Sequence, residues 1–212
     1  MLIKKCVVLF SGAGSNLENL LSQQDELKHK LKYSHAFTNN YDAGGINVCK
    51  KYNLPVSIGK KGNINNDLES FISNINPDLI ILSGYMKIVP PHIVDDYIGK
   101  IINIHPSLLP KYPGLNTFEK VISNNDKYHG ATVHFVTKVL DQGPIILQGK
   151  FSVDENMTKQ DLERSTHKAE YCIFPIAVEW FANDLLKYNG NNIILKNEDI
   201  HSPITYMINL DD

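Results

Sequence analysis

Apolar and polar positions along this chain follow two periods, and the switches between them mark out the elements. CVVLF (6–10) is an unbroken apolar run that ends at SGAGSN, the pattern of a strand buried on both faces entering a glycine-rich turn. NLENLLSQQDELK follows with Leu17, Leu20 and Leu21 at helical spacing, which predicts one helix to residue 28 with Ser15 or Asn16 as its N-cap. YSHAFTN (33–39) reads as a strand, 43–53 as a short helix and LPVSIG as a strand. In 65–75, Leu68, Phe71, Ile72 and Ile75 share one helical face. DLIILSG (78–84) is the strongest buried-strand pattern, PHIVDDY opens a helix on proline, and KIINI (100–104) is another apolar strand. Strand and helix thus alternate through residue 104, which predicts βαβ units.

Beyond residue 104 the pattern changes. GATVHFVT (130–137) and GPIILQGKFSV (143–153) read as strands joined by KVLDQ. A long helix is predicted over 158–187, with Leu162, Ala169, Ile173, Ala177, Trp180, Phe181 and Leu185 apolar, and NNIIL as a last strand. The expected class is α/β: an open, mostly parallel Rossmann-like sheet with helices on both faces. We expect a single domain over 1–212. We expect it to divide into halves 1–100 and 101–187, followed by a C-terminal tail over 188–212.

Composition narrows the function classes. With 212 residues, 42% of them hydrophobic and 21% charged, the chain can bury a core without staples. A net charge of −2 supplies no global field for nucleic acid or an anionic membrane. Cys6, Cys49 and Cys172 are far apart and outside any C-x-x-C pattern, so each is expected to be a small buried apolar residue. The apolar run near the N-terminus is too short for a signal peptide, and no stretch approaches the roughly 18 apolar residues of a membrane span. A cytoplasmic protein is expected, without nucleic-acid or membrane partners.

Ligands of open α/β sheets bind at the carboxyl ends of the strands. Three unusual loops fall there: SGAGSN, SGYMKIVPP and NIHPSLLPKYPG. The first lacks the third glycine of a dinucleotide fingerprint, since Leu17 stands in its place. Gly12 and Gly14 still free backbone N–H groups, Ser15 adds a hydroxyl and a helix begins, so the loop suits a monophosphate. The competing explanation is a tight turn that needs glycine for geometry alone.

Asn103 and His105 lie two residues apart at the end of a strand, so their side chains share a side. Pro106 stiffens the backbone after them. An amide donor and an imidazolium aimed at one point can stabilise a developing oxyanion. A nearby carboxylate would keep the ring charged, and Asp141 in LDQGP is a candidate, though an ordinary turn aspartate fits the same pattern. His134 in TVHFV is either a second polar group of the site or a hydrogen-bonded core histidine. No H-x-x-x-H, H-E-x-x-H or paired-cysteine spacing occurs, so no metal is expected, and there is no G-x-S-x-G.

FSGAGSNLENL, PDLIILSGYMKIV, INIHPSLLPKYPG, HGATVHFVTKVLDQGPIILQ and AEYCIFP closely resemble, in order, the folate-dependent phosphoribosylglycinamide formyltransferase family, the GAR transformylases of purine biosynthesis. The likeness runs from residue 6 to about 181. It implies formyl transfer from 10-formyltetrahydrofolate, a cosubstrate, to glycinamide ribonucleotide (GAR), by a monomer or homodimer. It implies that Asn103, His105 and Asp141 are the catalytic trio, with His105 as proton donor and Asp141 raising its pKa. Gly14, Ser15 and Asn16 match the loop that holds the GAR phosphate. His167, Lys168, Ala169 and Glu170 match the segment near the glycinamide end, Glu170 as its carboxylate. Met86, Lys87, Ile88 and Val89 match the segment whose backbone meets the pterin, and Thr137, Lys138, Val139, Leu140 and Asp141 the loop closing over it.

Three positions depart from the family pattern. Lys87 stands where arginine is frequent, and His167 where glutamine is frequent. A family arginine near GKKGNINND has no counterpart, with Lys61 the nearest substitute in register. Related families differ in extent: methionyl-tRNA formyltransferase carries an additional C-terminal domain and formyltetrahydrofolate deformylase an N-terminal one. Alternatives are an N-formyltransferase acting on a nucleotide sugar with the same trio, and a non-catalytic phosphate-binding module. The latter would have no need of Asn103, His105 and Asp141 together.

Overall fold

The computed structural model describes residues 2–190 and 192–210. The chain forms two compact units, the first ending at Asn103 and the second beginning at Ile104.

In the first unit every strand pairing is parallel. Strands β1 (Lys4–Phe10), β2 (Leu31–Thr38), β3 (Val56–Ile58), β4 (Leu79–Leu82) and the start of β5 (Ile101–His105) take the order β5-β4-β1-β2-β3. β1 lies between β2 and β4, and Cys6 through Phe10 are fully buried. A strand flanked on both sides and covered on both faces has no polar face to show, hence its unbroken apolar run. The helices are α1 (Ser15–Ser22), α2 (Gln24–Leu27), α3 (Gly45–Lys51), α4 (Ile64–Ile75) and α5 (Pro91–Asp96). α4 buries Leu68, Phe71 and Ile72, three of the four residues expected on its face, and closes on Asn76 at φ 48°. Asparagine tolerates that left-handed conformation better than most residues.

Two expectations fail here. The helix predicted to reach residue 28 is interrupted at Gln23, which separates α1 from α2. Its N-cap is Gly14, at φ 85°, and neither Ser15 nor Asn16. A side chain at Gly14 would be strained by that φ, and its Cβ would lie 2.5 Å from the Gly45 Cα. Close approach to α3 therefore selects glycine at the cap over a side-chain oxygen.

The second unit opens with the end of β5 and α6 (Thr117–Ser123), a helix the sequence pattern did not reveal. β6 (Tyr128–Phe135) and β7 (Ile145–Ser152) pair antiparallel, and α7 (Lys159–Ala182) packs on both. Thr158 and Asp161 form a reciprocal capping box at its start. α7 stops five residues short of the expected end. Leu186–Asn189 is instead β8, which pairs antiparallel with β9 (Asn192–Leu195), and β9 with β10 (Glu198–Ile200). NNIIL is thus not the last strand. β11 (Ile204–Met207) runs parallel to β7, so the expected tail carries ordered strands. Cys6 and Cys49 are buried as expected, but Cys172 is exposed, because it falls on the outer side of α7.

Candidate functional site

In the second unit the site is built around the turn that follows β5. Buried Ile104 anchors the end of the strand and His105 is its last residue. The next residues are held by a buried hydroxyl. Thr132 Oγ1 donates to the Ser107 carbonyl at 2.6 Å and accepts from Leu109 N and Gln148 Nε2, each at 3.0 Å. Gln148 Nε2 also donates to the Leu109 carbonyl at 2.8 Å. β6 and β7 thereby fix a loop whose prolines cannot supply backbone donors of their own.

The held loop sets the ring of His105. Its Nε2 lies 2.9 Å from the Tyr112 carbonyl. A carbonyl only accepts, so this nitrogen carries hydrogen. Nδ1 faces Asp141 Oδ2 at 3.4 Å, and both side chains are buried. The same carboxylate oxygen accepts from Gly114 N at 2.8 Å.

His134 is buried, and its Nδ1 donates to the Phe135 carbonyl at 2.9 Å. Burial lowers its pKa against the opposing pull of that carbonyl and of Asp141. Its Nε2 faces Asp141 Oδ1 across 3.8 Å, beyond direct hydrogen-bond range. His134 is a buried histidine whose ring faces Asp141. His105 holds the closer contact with Asp141.

Asp141 sits in the loop between β6 and β7, at φ 53°. Thr137 begins that loop, with Oγ1 donating to the Val139 carbonyl at 3.2 Å. Lys138, Val139 and Leu140 are exposed on its outer edge. On α7, His167 Nδ1 lies 2.8 Å from Glu170 Oε2. The hydrogen bond to buried Glu170 raises the His167 pKa against partial burial. Lys168 donates to the Leu210 carbonyl at 2.8 Å. Ala169 is fully buried against Gly149, so of this run its side chain presents nothing to a ligand.

In the first unit, Ser11 ties two of the loops together. Its Oγ accepts from Met86 N at 2.8 Å and donates to Asn39 Oδ1, while its carbonyl accepts from Asn40 Nδ2 at 3.1 Å. The Gly12–Asn16 loop and the Met86 segment therefore share one buried hydroxyl. Ser15, Asn16 and Leu17 form the first turn of α1, the end at which helix N–H groups point outward along the axis. Met86, Lys87 and Ile88 are exposed along an open groove of about 770 Å³, whose other wall is residues 62–66 at the start of α4. Lys61 is exposed just before that wall, and Val89 is buried, turned away from the groove. Among the described residues no three His, Cys, Asp or Glu side chains are grouped to hold a metal ion, and no helix is long and apolar enough to cross a membrane.

Sequence reasoning missed Ser11, Tyr112 and Gly114. The last two act through backbone atoms, which no residue type announces. Ser11 lies in the same glycine loop as Ser15, and residue type does not distinguish the two hydroxyls.

The formyl transferase family model matches residues 4–178. The chain is 37% identical over 195 residues to a phosphoribosylglycinamide formyltransferase of Haemophilus influenzae, covering 89% of this chain and 92% of that one. It is 37% identical over 191 residues to the Escherichia coli protein of the same name, covering 87% and 90%. The crystal structure of phosphoribosylglycinamide formyltransferase from Anaplasma phagocytophilum matches with a TM-score of 0.88 and 31% identity, over 98% of this chain and all of that one. The α/β class expected from the sequence, a mostly parallel sheet flanked by helices, is the fold they share.

Proposed function

The chain belongs to the formyl transferase family, and from that premise we propose that it transfers the formyl group of 10-formyltetrahydrofolate to the amino group of GAR, giving formyl-GAR and tetrahydrofolate in purine biosynthesis. The observation that carries the reading is the His105–Asp141 contact at 3.4 Å, at the mouth of the strand that also bears Asn103. The similarity to enzymes named for this reaction extends over most of the chain.

The chemistry is acyl transfer. The GAR amine bonds to the formyl carbon, and the carbonyl electron pair moves onto oxygen. Asn103 and His105 donate hydrogen bonds to that oxyanion. The attacking nitrogen gives up one proton, N10 takes one up as the carbon–N10 bond breaks, and the formyl carbonyl is restored on the product amine. The oxyanion competes with the Tyr112 carbonyl for His105 Nε2–H, and a charged oxygen is the stronger acceptor.

The remaining assignments follow the same reading. Gly14, Ser15 and Asn16 bind the GAR phosphate at the start of α1. His167 and Glu170 meet the rest of GAR. Exposed Met86, Lys87 and Ile88 line the pteridine; large apolar side chains left in solvent suit a flat heterocycle. Lys61, beside the groove wall, meets the acidic end of the folate. The protein acts on these small molecules in the cytoplasm, without metal or nucleic acid.

The test is to incubate the protein with 10-formyltetrahydrofolate and GAR, following tetrahydrofolate release and the mass of the ribonucleotide. Gain of one formyl group by GAR is expected. Hydrolysis to formate without transfer, or transfer only to a nucleotide sugar, rejects the reading.

A further inference from the structure

We propose that Asp126, acting through Tyr112, is a positioning residue for His105: it holds the Tyr112 carbonyl where it keeps hydrogen on His105 Nε2. The inference rests on the role of His105 given above.

Tyr112 occupies the left-handed region at φ 57°, which disfavours a bulky side chain. That conformation carries its carbonyl to His105 Nε2, so something must hold the residue there. Its hydroxyl donates to Asp126 Oδ2 at 2.8 Å and accepts from Asn124 Nδ2 at 2.7 Å. The preceding residue is gripped by the same carboxylate, Lys111 Nζ donating to Asp126 Oδ1 at 2.9 Å. Ser107 Oγ donates to the Lys111 carbonyl at 2.6 Å and lies 3.4 Å from the Tyr112 carbonyl. Both oxygens of Asp126 are thus spent on the dipeptide that presents the carbonyl. Asp126 is itself seated at the end of α6, its N–H donating to the Val121 carbonyl at 3.2 Å. Burial opposes its charge, but the hydrogen bonds from Lys111 and Tyr112 outweigh that and hold the carboxyl below its ordinary range.

The consequence for His105 follows from hydrogen count. A neutral imidazole carries one N–H. Asp141 alone would draw it to Nδ1, leaving a lone pair on Nε2 that repels an oxyanion. The Tyr112 carbonyl demands hydrogen on Nε2, and only the doubly protonated ring satisfies both acceptors. Loosening Tyr112 therefore removes the hydrogen that the reaction uses, without touching any group that binds substrate.

Tyr112→Phe deletes one oxygen and little volume. We expect kcat to fall about tenfold with the KM for GAR and for 10-formyltetrahydrofolate unchanged. In ¹⁵N NMR of the ligand-free protein at neutral pH, His105 Nε2 should move from a protonated toward an unprotonated signature. Asp126→Asn, which keeps an acceptor for the Tyr112 hydroxyl, should recover much of what Asp126→Ala loses. A wild-type kcat in Tyr112→Phe, or a loss of kcat with an unmoved Nε2 signal, overturns the proposal. So does Asp126→Asn as impaired as Asp126→Ala at equal Tm. Should Asp126→Ala not fold, Tyr112→Phe alone decides. The NMR readout needs no substrate, so it stands or falls independently of which amine is formylated.

Discussion

Asp141 turns one carboxylate oxygen to His105 Nδ1 at 3.4 Å from a backbone held at φ 53°. Aspartate and asparagine are the side chains that best tolerate that conformation, because a short polar group can bond locally. Asp141 Oδ2 does so, accepting from Gly114 N. The position thus combines a backbone requirement with a charge requirement, and substitutions can separate them.

Asp141→Asn meets the backbone requirement and keeps an acceptor for Gly114, but loses the charge facing His105. Steady-state kinetics should show kcat lower by ~10²–10⁴, the usual weight of a positioned acid–base group, with Tm little changed. His105→Ala should fall by a similar factor, and the double variant by no more than the worse single one, because the pair acts as a unit. Additive losses would mean that the two residues work separately.

The glycine loop needs a different probe. A side chain at Gly14 meets Gly45 at 2.5 Å and a disfavoured φ, so even Gly14→Ala should destabilise the fold by about 1 kcal/mol or more and report little on phosphate. Ser15→Ala leaves the backbone alone. It should raise the KM for GAR about tenfold and leave the KM for 10-formyltetrahydrofolate unchanged, as read by varying each substrate in turn. Equal effects on both substrates would remove the phosphate assignment.

Legibility in the sequence followed the range of the forces involved. β1 and β4 were plain because strands covered on both faces must be continuously apolar, and a short window shows that. The candidate pair Asn103 and His105 stood out because an amide, an imidazole and a proline clamp lie together within four residues. The contact with Asp141, 36 positions away, could be reached only through resemblance, since spacing says nothing about two loops meeting. What stayed hidden depends on backbone geometry or tertiary packing. The Tyr112 carbonyl and the Gly114 N–H belong to every residue type alike. The left-handed cap at Gly14 is imposed by α3. The strands after residue 185 have short patterns, and Leu185 happened to continue the apolar period of α7.

His129 supplies a stability prediction independent of catalysis. It is buried with its ring edge-on to Phe118 and Phe151, and its Nε2 has no hydrogen-bond partner. Burial pushes its pKa down to about 4; Asp126 pulls upward and His105 downward, but burial prevails. In the unfolded chain the same group titrates near 6.5. The folded pKa is the depressed one, so the stabilising contribution is fully present above pH 6.5 and is lost as pH falls toward 4. The gap between those values is worth roughly 3 kcal/mol when fully developed. Urea unfolding at pH 7.5 and pH 4.5 should therefore show a loss that His129→Phe reduces by about 2 kcal/mol. Phenylalanine keeps the edge-on ring contacts and removes the titrating nitrogen. His134, also depressed by burial, acts with the same sign and is present in both proteins, so the difference between them isolates His129. Parallel losses in wild type and variant would show that His129 does not take up a proton on unfolding in this range.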